Sequence, residues 1–191
     1  QKKIKGVTFS QSHISFLNDA TQFSKSNPNK NTLLLDDIFV YPDLYKIESD
    51  IDAKRISSKR LIDEYEEGDR WVIIGEDQSG KTSLLKKYIQ VLRGKGFYPI
   101  YIKDPMELLL GNISTRINKV FNEQYDCELE ISQLPNNRII AIIDDFHKCK
   151  NKKKVLGQIL QVRGCIIVVD DIYTIDAQND ILADFARYQI T

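Results

Sequence analysis

Trp71-Val-Ile-Ile74 is a short apolar run, Gly75-Glu76-Asp77-Gln78-Ser79-Gly80-Lys81-Thr82 follows it without a break, and Ser83-Leu-Leu-Lys-Lys-Tyr88 continues at helical spacing. A buried strand that turns into an amphipathic helix through such a segment has one well-defined chemistry. Gly75 and Gly80 bring the dihedral freedom that lets consecutive N–H groups converge on oxygen atoms. Lys81 adds an ammonium, Thr82 a hydroxyl, and the helix starting at Lys81 presents its positive end. The run matches GxxxxGK[ST] in the strand-then-helix setting that a P-loop requires. Its backbone and side chains from Gly75 through Glu76, Asp77, Gln78, Ser79, Gly80, Lys81, Thr82 and Ser83 are the candidate phosphate cradle. Lys81 would serve the β and γ phosphates, and Thr82 a magnesium ion.

Downstream the chain alternates. The pattern predicts a helix over 81–92 stopped by Gly94, a strand over 97–102, a longer helix over 106–125, a strand over 138–143, a helix over 155–162 and a strand over 165–169. Continuous β-branched runs between helices imply an α/β fold, a parallel sheet covered on both faces in three layers. Upstream, Ile51, Ile56, Leu61, Ile62 and Tyr65 recur at roughly helical spacing and Gly68 ends them, so one helix is expected over 51–67. Leu33 to Pro42 reads as extended, with Pro42 barring a central ladder position beyond it. Residues 1–31 read as a short helix and a linker. The expected organisation is a lead-in over 1–50 and a P-loop domain over 51–191.

The second candidate site is Arg138-Ile-Ile-Ala-Ile-Ile-Asp144-Asp145, an apolar strand that delivers carboxylates to its C-terminal end, where open α/β sheets bind ligands. Asp144 is expected to hold magnesium through a water. Asp145 is placed to polarise an attacking water as general base, and with Lys81 it makes up the candidate catalytic pair. The plainer reading is that either aspartate caps the following turn. His147 follows the acids and could watch the γ-phosphate or a neighbouring subunit; the plainer reading, a surface histidine on a turn, keeps it outside the candidate catalytic pair. Lys148, Lys150, Lys152, Lys153 and Lys154 read as a solvated loop and helix start, with phosphate contact as the alternative.

Strand, P-loop, helix and apolar strand with paired aspartates together resemble the additional-strand division of P-loop ATPases, which includes the AAA+ and STAND groups. The resemblance implies that one strand separates the Walker A and Walker B strands, which places Cys165 to Val169 between them. Leu35 to Leu44 resembles the segment before the P-loop in STAND ATPases and implies contacts from Phe39, Val40 and Tyr41 to the base, core packing being the other reading. Two departures stand out. Asp170-Asp171 ends the fourth strand where relatives place a neutral or basic sensor, and a carboxylate there repels phosphate unless metal-bound or turned away. Asp145 is one methylene shorter than the glutamate of many fast ATPases, so hydrolysis should be slow.

Composition narrows the setting. Lys plus Arg and Asp plus Glu are 27 each, so no net field draws the whole chain to nucleic acid or an anionic membrane. Cys127, Cys149 and Cys165 are too few and scattered for a disulfide framework or zinc site, which fits a reducing cytoplasm. Apolar runs fall far short of the roughly 20 residues that span a bilayer. The start at Gln1 suggests a piece of a longer protein. No Asn-Lys-x-Asp guanine reader follows the late strand, so ATP with Mg2+ is expected over GTP. Arg116, Arg138 and Arg163 are too dispersed for a kinase lid. The expected function is a regulatory, STAND-like ATPase switch whose partners are neighbouring domains, or its own copies once ATP binds. The alternative is a nucleic-acid-associated AAA+ ATPase of helicase-loader or transposition-regulator type.

Overall fold

The computed structural model describes residues 6–20, 33–47, 53–106, 108, 112–160, 164–171 and 182–190. In chain order the elements are β1 (Thr8–Phe9), α1 (Gln11–Asn18), α2 (Leu35–Ile38), β2 (Asp43–Ile47), β3 (Ala53–Ser57), α3 (Ser58–Asp63), β4 (Arg70–Gly75), α4 (Lys81–Gly94), β5 (Tyr98–Ile102), α5 (Ile113–Gln124), β6 (Tyr125–Asp126), β7 (Ile139–Ile143), α6 (Lys152–Ile159), β8 (Gly164–Asp170) and β9 (Ala186–Ile190). Seven strands form one sheet in the order β3-β2-β9-β4-β8-β7-β5. From β9 to β5 all neighbours are parallel. β2 runs antiparallel to both β9 and β3. The fold is α/β with a mostly parallel sheet, and β8 separates the P-loop strand β4 from the acid-bearing strand β7.

Alternation along each strand divides the core between the two faces. Val72, Ile74, Ile139, Ala141, Ile143, Cys165 and Ile167 pack with Phe121 of α5 and Val155, Leu156 and Ile159 of α6. Trp71, Ile73, Ile140, Ile142, Ile166 and Val168 pack on the opposite face with α4. Both faces are covered, which is why these strands read as unbroken apolar runs. α4 lays Leu84, Leu85, Tyr88, Ile89 and Leu92 on the sheet, each with no exposed surface. At roughly 1.5–3 kcal/mol per buried large side chain, this stripe alone anchors the helix that follows the glycine loop.

Four expectations need correction. The extended reading of Leu33–Pro42 gives way at α2, where the Asp37 carboxylate accepts from the Leu34 amide at 3.0 Å and starts a helical turn. β2 begins immediately after Pro42 and is paired on both sides. Pro42 stays outside the ladder and contributes only its carbonyl, to Ser58 N at 3.1 Å, so its missing N–H costs nothing. The expected helix over 51–67 is instead β3 followed by α3, with 51 and 52 outside the described residues. The Leu61–Ile62–Tyr65 spacing belongs to α3 and the turn after it, whereas Ala53–Ser57 finds its backbone partners across β2. The long helix starts at Ile113, not at Met106, where the Asn112 side chain accepts from Ser114 N at 2.9 Å and caps it. Residues 107 and 109–111 lie outside the described residues.

The N-terminal segment packs on the domain. β1 pairs with β6, and α1 buries Leu17 and His13. His13 lies against Phe9 and Phe16, and its Nε2 has no hydrogen-bond partner among the described residues. Burial lowers its pKa from 6.5 to about 4, so it is neutral in the folded protein. No helix among the described residues is long and apolar enough to cross a membrane.

Candidate functional site

β4 ends at Gly75, in register with Asp170 of β8. A Cβ on Gly75 would lie 2.7 Å from Ser79 Oγ and 3.3 Å from Ile190 Cβ, so the loop closes this tightly only over a glycine. Gly80 has φ +86° and Gln78 φ +62°. The left-handed turn at Gln78, a non-glycine residue, is steered by the Asp77 carboxylate, which accepts from Gln78 N at 3.0 Å. Ser79 N donates to Glu76 O at 3.2 Å. Lys81 is buried, and its ammonium donates to the carbonyls of Gly75, at 2.7 Å, and of Glu76. The loop thus folds back round its own cation. Glu76, Asp77, Gln78, Gly80 and Thr82 remain exposed on its outer side, with Ser79 and Ser83 half-buried.

β7 carries Asp144 to the same edge, where only 5% of it is exposed. Its Oδ2 accepts from Thr82 Oγ1 at 2.7 Å and from the Tyr101 hydroxyl at 2.9 Å, and its Oδ1 from Asp145 N at 3.0 Å. A buried carboxylate survives because three donors surround it. Burial, and then the neighbouring Asp144, raise the Tyr101 pKa, which keeps that hydroxyl a donor. Asp145 is held differently. It adopts φ +49° and heads a 3-10 turn over Phe146–Lys148 without capping it by its side chain. Lys148 Nζ donates to its Oδ2 at 2.6 Å.

The ends of β8 and β9 complete the edge. His147 is half-buried and its Nδ1 accepts from Asp170 N at 3.2 Å, so it is more than a surface residue on a turn. Asp171 is engaged by Gln189 Nε2, at 3.3 and 3.4 Å. Upstream, Phe39 and Tyr41 meet edge to face and pack against the α4 side of the core, whereas Val40 is 81% exposed. Sequence reasoning missed Tyr101 and Gln189. Tyr101 sits in an apolar strand run, and nothing in that string marks its hydroxyl as the partner of a carboxylate 43 residues later.

A magnesium ion with nucleotide fits these residues. Thr82 Oγ1 and Asp144 Oδ2 lie side by side as hard oxygen donors beside a glycine-closed loop. Among the described residues no group of three His, Cys, Asp or Glu side chains could enclose a metal, so the ion would keep waters and phosphate oxygens in its shell, as magnesium favours.

No protein-family model matches the chain, and no curated protein is significantly similar to it. Among solved structures, it is similar to the DnaC helicase loader, at 14% identity and a TM-score of 0.47 over 70% of this chain and 86% of that one. It is also similar to AMPPCP-bound DnaA from Aquifex aeolicus, at 15% identity and a TM-score of 0.46 over 70% of this chain. The match spans 44% of the DnaA chain. At that distance neither likeness assigns a role to a residue here.

Proposed function

We propose that this chain is an ATP·Mg-binding P-loop module that works within a larger protein and hydrolyses ATP slowly by itself. Residues 51–191 would form the nucleotide domain, with 1–50 as a lead-in that adds β2 to its sheet. The observation that carries this reading is the 2.7 Å hydrogen bond from Thr82 to Asp144 across 62 residues of sequence. It joins the helix after the glycine loop to the strand bearing the acids, and those are the two groups that an NTPase needs at one magnesium ion.

Thr82 and Asp144 would hold a magnesium ion, whose chemistry there would be to neutralise charge on the group being transferred. The chain's own residues have separable jobs. The amides from Gly75 to Ser83 orient the phosphates, and Lys81 offers them its ammonium. Thr82 and Asp144 hold the magnesium shell, Tyr101 fixes the Asp144 carboxylate, and Asp145 takes a proton from the attacking water. Calorimetric titration with ATP, GTP and ADP, with and without magnesium, tests the reading. Magnesium-dependent binding that favours ATP supports it, and no binding of any of the three sinks it.

Two settings remain. A STAND-like switch would signal to neighbouring domains or to further copies of the chain. A nucleic-acid-associated ATPase is favoured by the exposed Lys150, after the acid-bearing turn, and the exposed Lys153 and Lys154 in the first turn of α6. The DnaC structure to which the chain is similar is described as a helicase loader. DNA binding that weakens steeply with salt would select the nucleic-acid setting, because each neutralised phosphate releases counterions.

A further inference from the structure

β8 ends beside the P-loop, with Asp170 in register with Gly75. A carboxylate projecting from that position would repel a phosphate. The Asp170 backbone does something else: its amide donates to His147 Nδ1 at 3.2 Å. This hydrogen bond fixes the imidazole chemically. A ring nitrogen that accepts carries no proton, so the proton of the neutral ring is on Nε2, which is left as a donor. His147 reaches this place because Asp145, at φ +49°, turns the chain sharply into the 3-10 turn Phe146–Lys148. The ring therefore bridges the ends of β7 and β8, and Lys81, Asp145, Lys148 and Asp170 all lie close enough to act on it electrostatically. Burial lowers its pKa and so favours the same neutral form.

We propose that His147 is the sensor of the terminal phosphate, donating from Nε2–H to a γ-phosphate oxygen and so distinguishing a nucleoside triphosphate from a diphosphate. This rests on the ATP·Mg reading above. It also accounts for the aspartate pair at the end of β8: Asp170 contributes its amide as the support of the sensor, and Gln189 holds Asp171. His147 is a binding residue here, and its effect belongs to triphosphate recognition rather than to the integrity of the loop.

The test compares equilibrium affinities of magnesium with AMPPCP and with ADP for the wild-type chain, His147→Ala and His147→Gln. A hydrogen bond to a charged group implies a loss of about ten- to a hundredfold in AMPPCP affinity for His147→Ala, with ADP affinity within about twofold of wild type. Glutamine places an amide donor at similar reach, so His147→Gln should recover most of the loss. The chain has 2 histidines, so His13→Gln leaves one imidazole for nitrogen-15 NMR. Its spectrum should show a bare Nδ1 and a protonated Nε2 whose resonance moves with AMPPCP and not with ADP. Equal loss of both nucleotides in His147→Ala, or a protonated Nδ1, overturns the inference while leaving the P-loop reading intact. Failure of the wild-type chain to bind either nucleotide removes both.

Discussion

The P-loop and the turn after β7 reach the same edge of the sheet and are built in opposite ways. From Gly75 to Thr82 nearly every contact is local: Ser79 to Glu76, Gln78 to Asp77, and the Lys81 ammonium to the carbonyls of Gly75 and Glu76. From Asp144 to His147 the defining contacts include distant ones. Thr82 and Tyr101 reach Asp144 across 62 and 43 residues, and Asp170 reaches His147 across 23. A cradle made of backbone can be written as a short string. A carboxylate cannot, because its role depends on which donors the fold brings to it.

The largest effect expected at the β7 end is kinetic. Asp145→Asn should leave ATP·Mg bound and slow single-turnover hydrolysis by roughly 10²–10⁴, the range for a general base, whereas Asp144→Asn should weaken magnesium-dependent binding instead. Asp145→Glu, with its longer reach, should raise the rate. Wild-type turnover in Asp145→Asn, with turnover alone lost in Asp144→Asn, would reverse the two roles. At the P-loop, Lys81→Ala should lower nucleotide affinity by about a hundredfold in a fluorescent-nucleotide titration, with circular dichroism unchanged. Wild-type affinity in that variant would break the assignment of the local cradle.

Acid separates both regions from the scaffold beneath them. His13 has a folded pKa of about 4 against 6.5 when unfolded, so the unfolded chain binds more protons between those values. Stability should be full above pH 6.5, fall by about 3 kcal/mol as the pH approaches 4, and then level off for this group. Urea melts across that range should show the slope, and His13→Phe should flatten it. A slope of the same size in that variant would place the acid sensitivity elsewhere. The smallest effect is at Tyr101. Tyr101→Phe removes one of three donors to Asp144, and magnesium-dependent ATP affinity should fall about fivefold while binding without magnesium is unchanged. An equal change in both would make Tyr101 a packing residue and weaken the contrast between the local site and the distant one.

The fold was legible wherever burial is continuous. The strands containing Trp71, Ile140 and Ile166 have apolar residues on both faces, and α4 follows its glycine loop with an amphipathic stripe, so their identities and parallel arrangement could be read directly. Half-buried elements were not legible. β9, Ala186–Ile190, mixes Arg187 and Gln189 with Tyr188 and Ile190, and its partners β2 and β4 lie far away in sequence. β3 was masked by apolar spacing that also suits a helix, and only pairing with β2 decides between the two.

The sequence by itself determined that a glycine-bearing loop from Gly75 joins a buried strand to an amphipathic helix, and that an apolar strand ends in Asp144 and Asp145. Local dihedral freedom and hydrophobic periodicity are properties of contiguous residues, so a string carries them. The family resemblance already placed β8 between those two strands, as the sheet order has it; tertiary structure alone decided that Tyr101 and Thr82 share Asp144 while Lys148 holds Asp145, and that Asp170 supports His147. Those pairings depend on strand order and register, which are set by how separate segments bury their faces together.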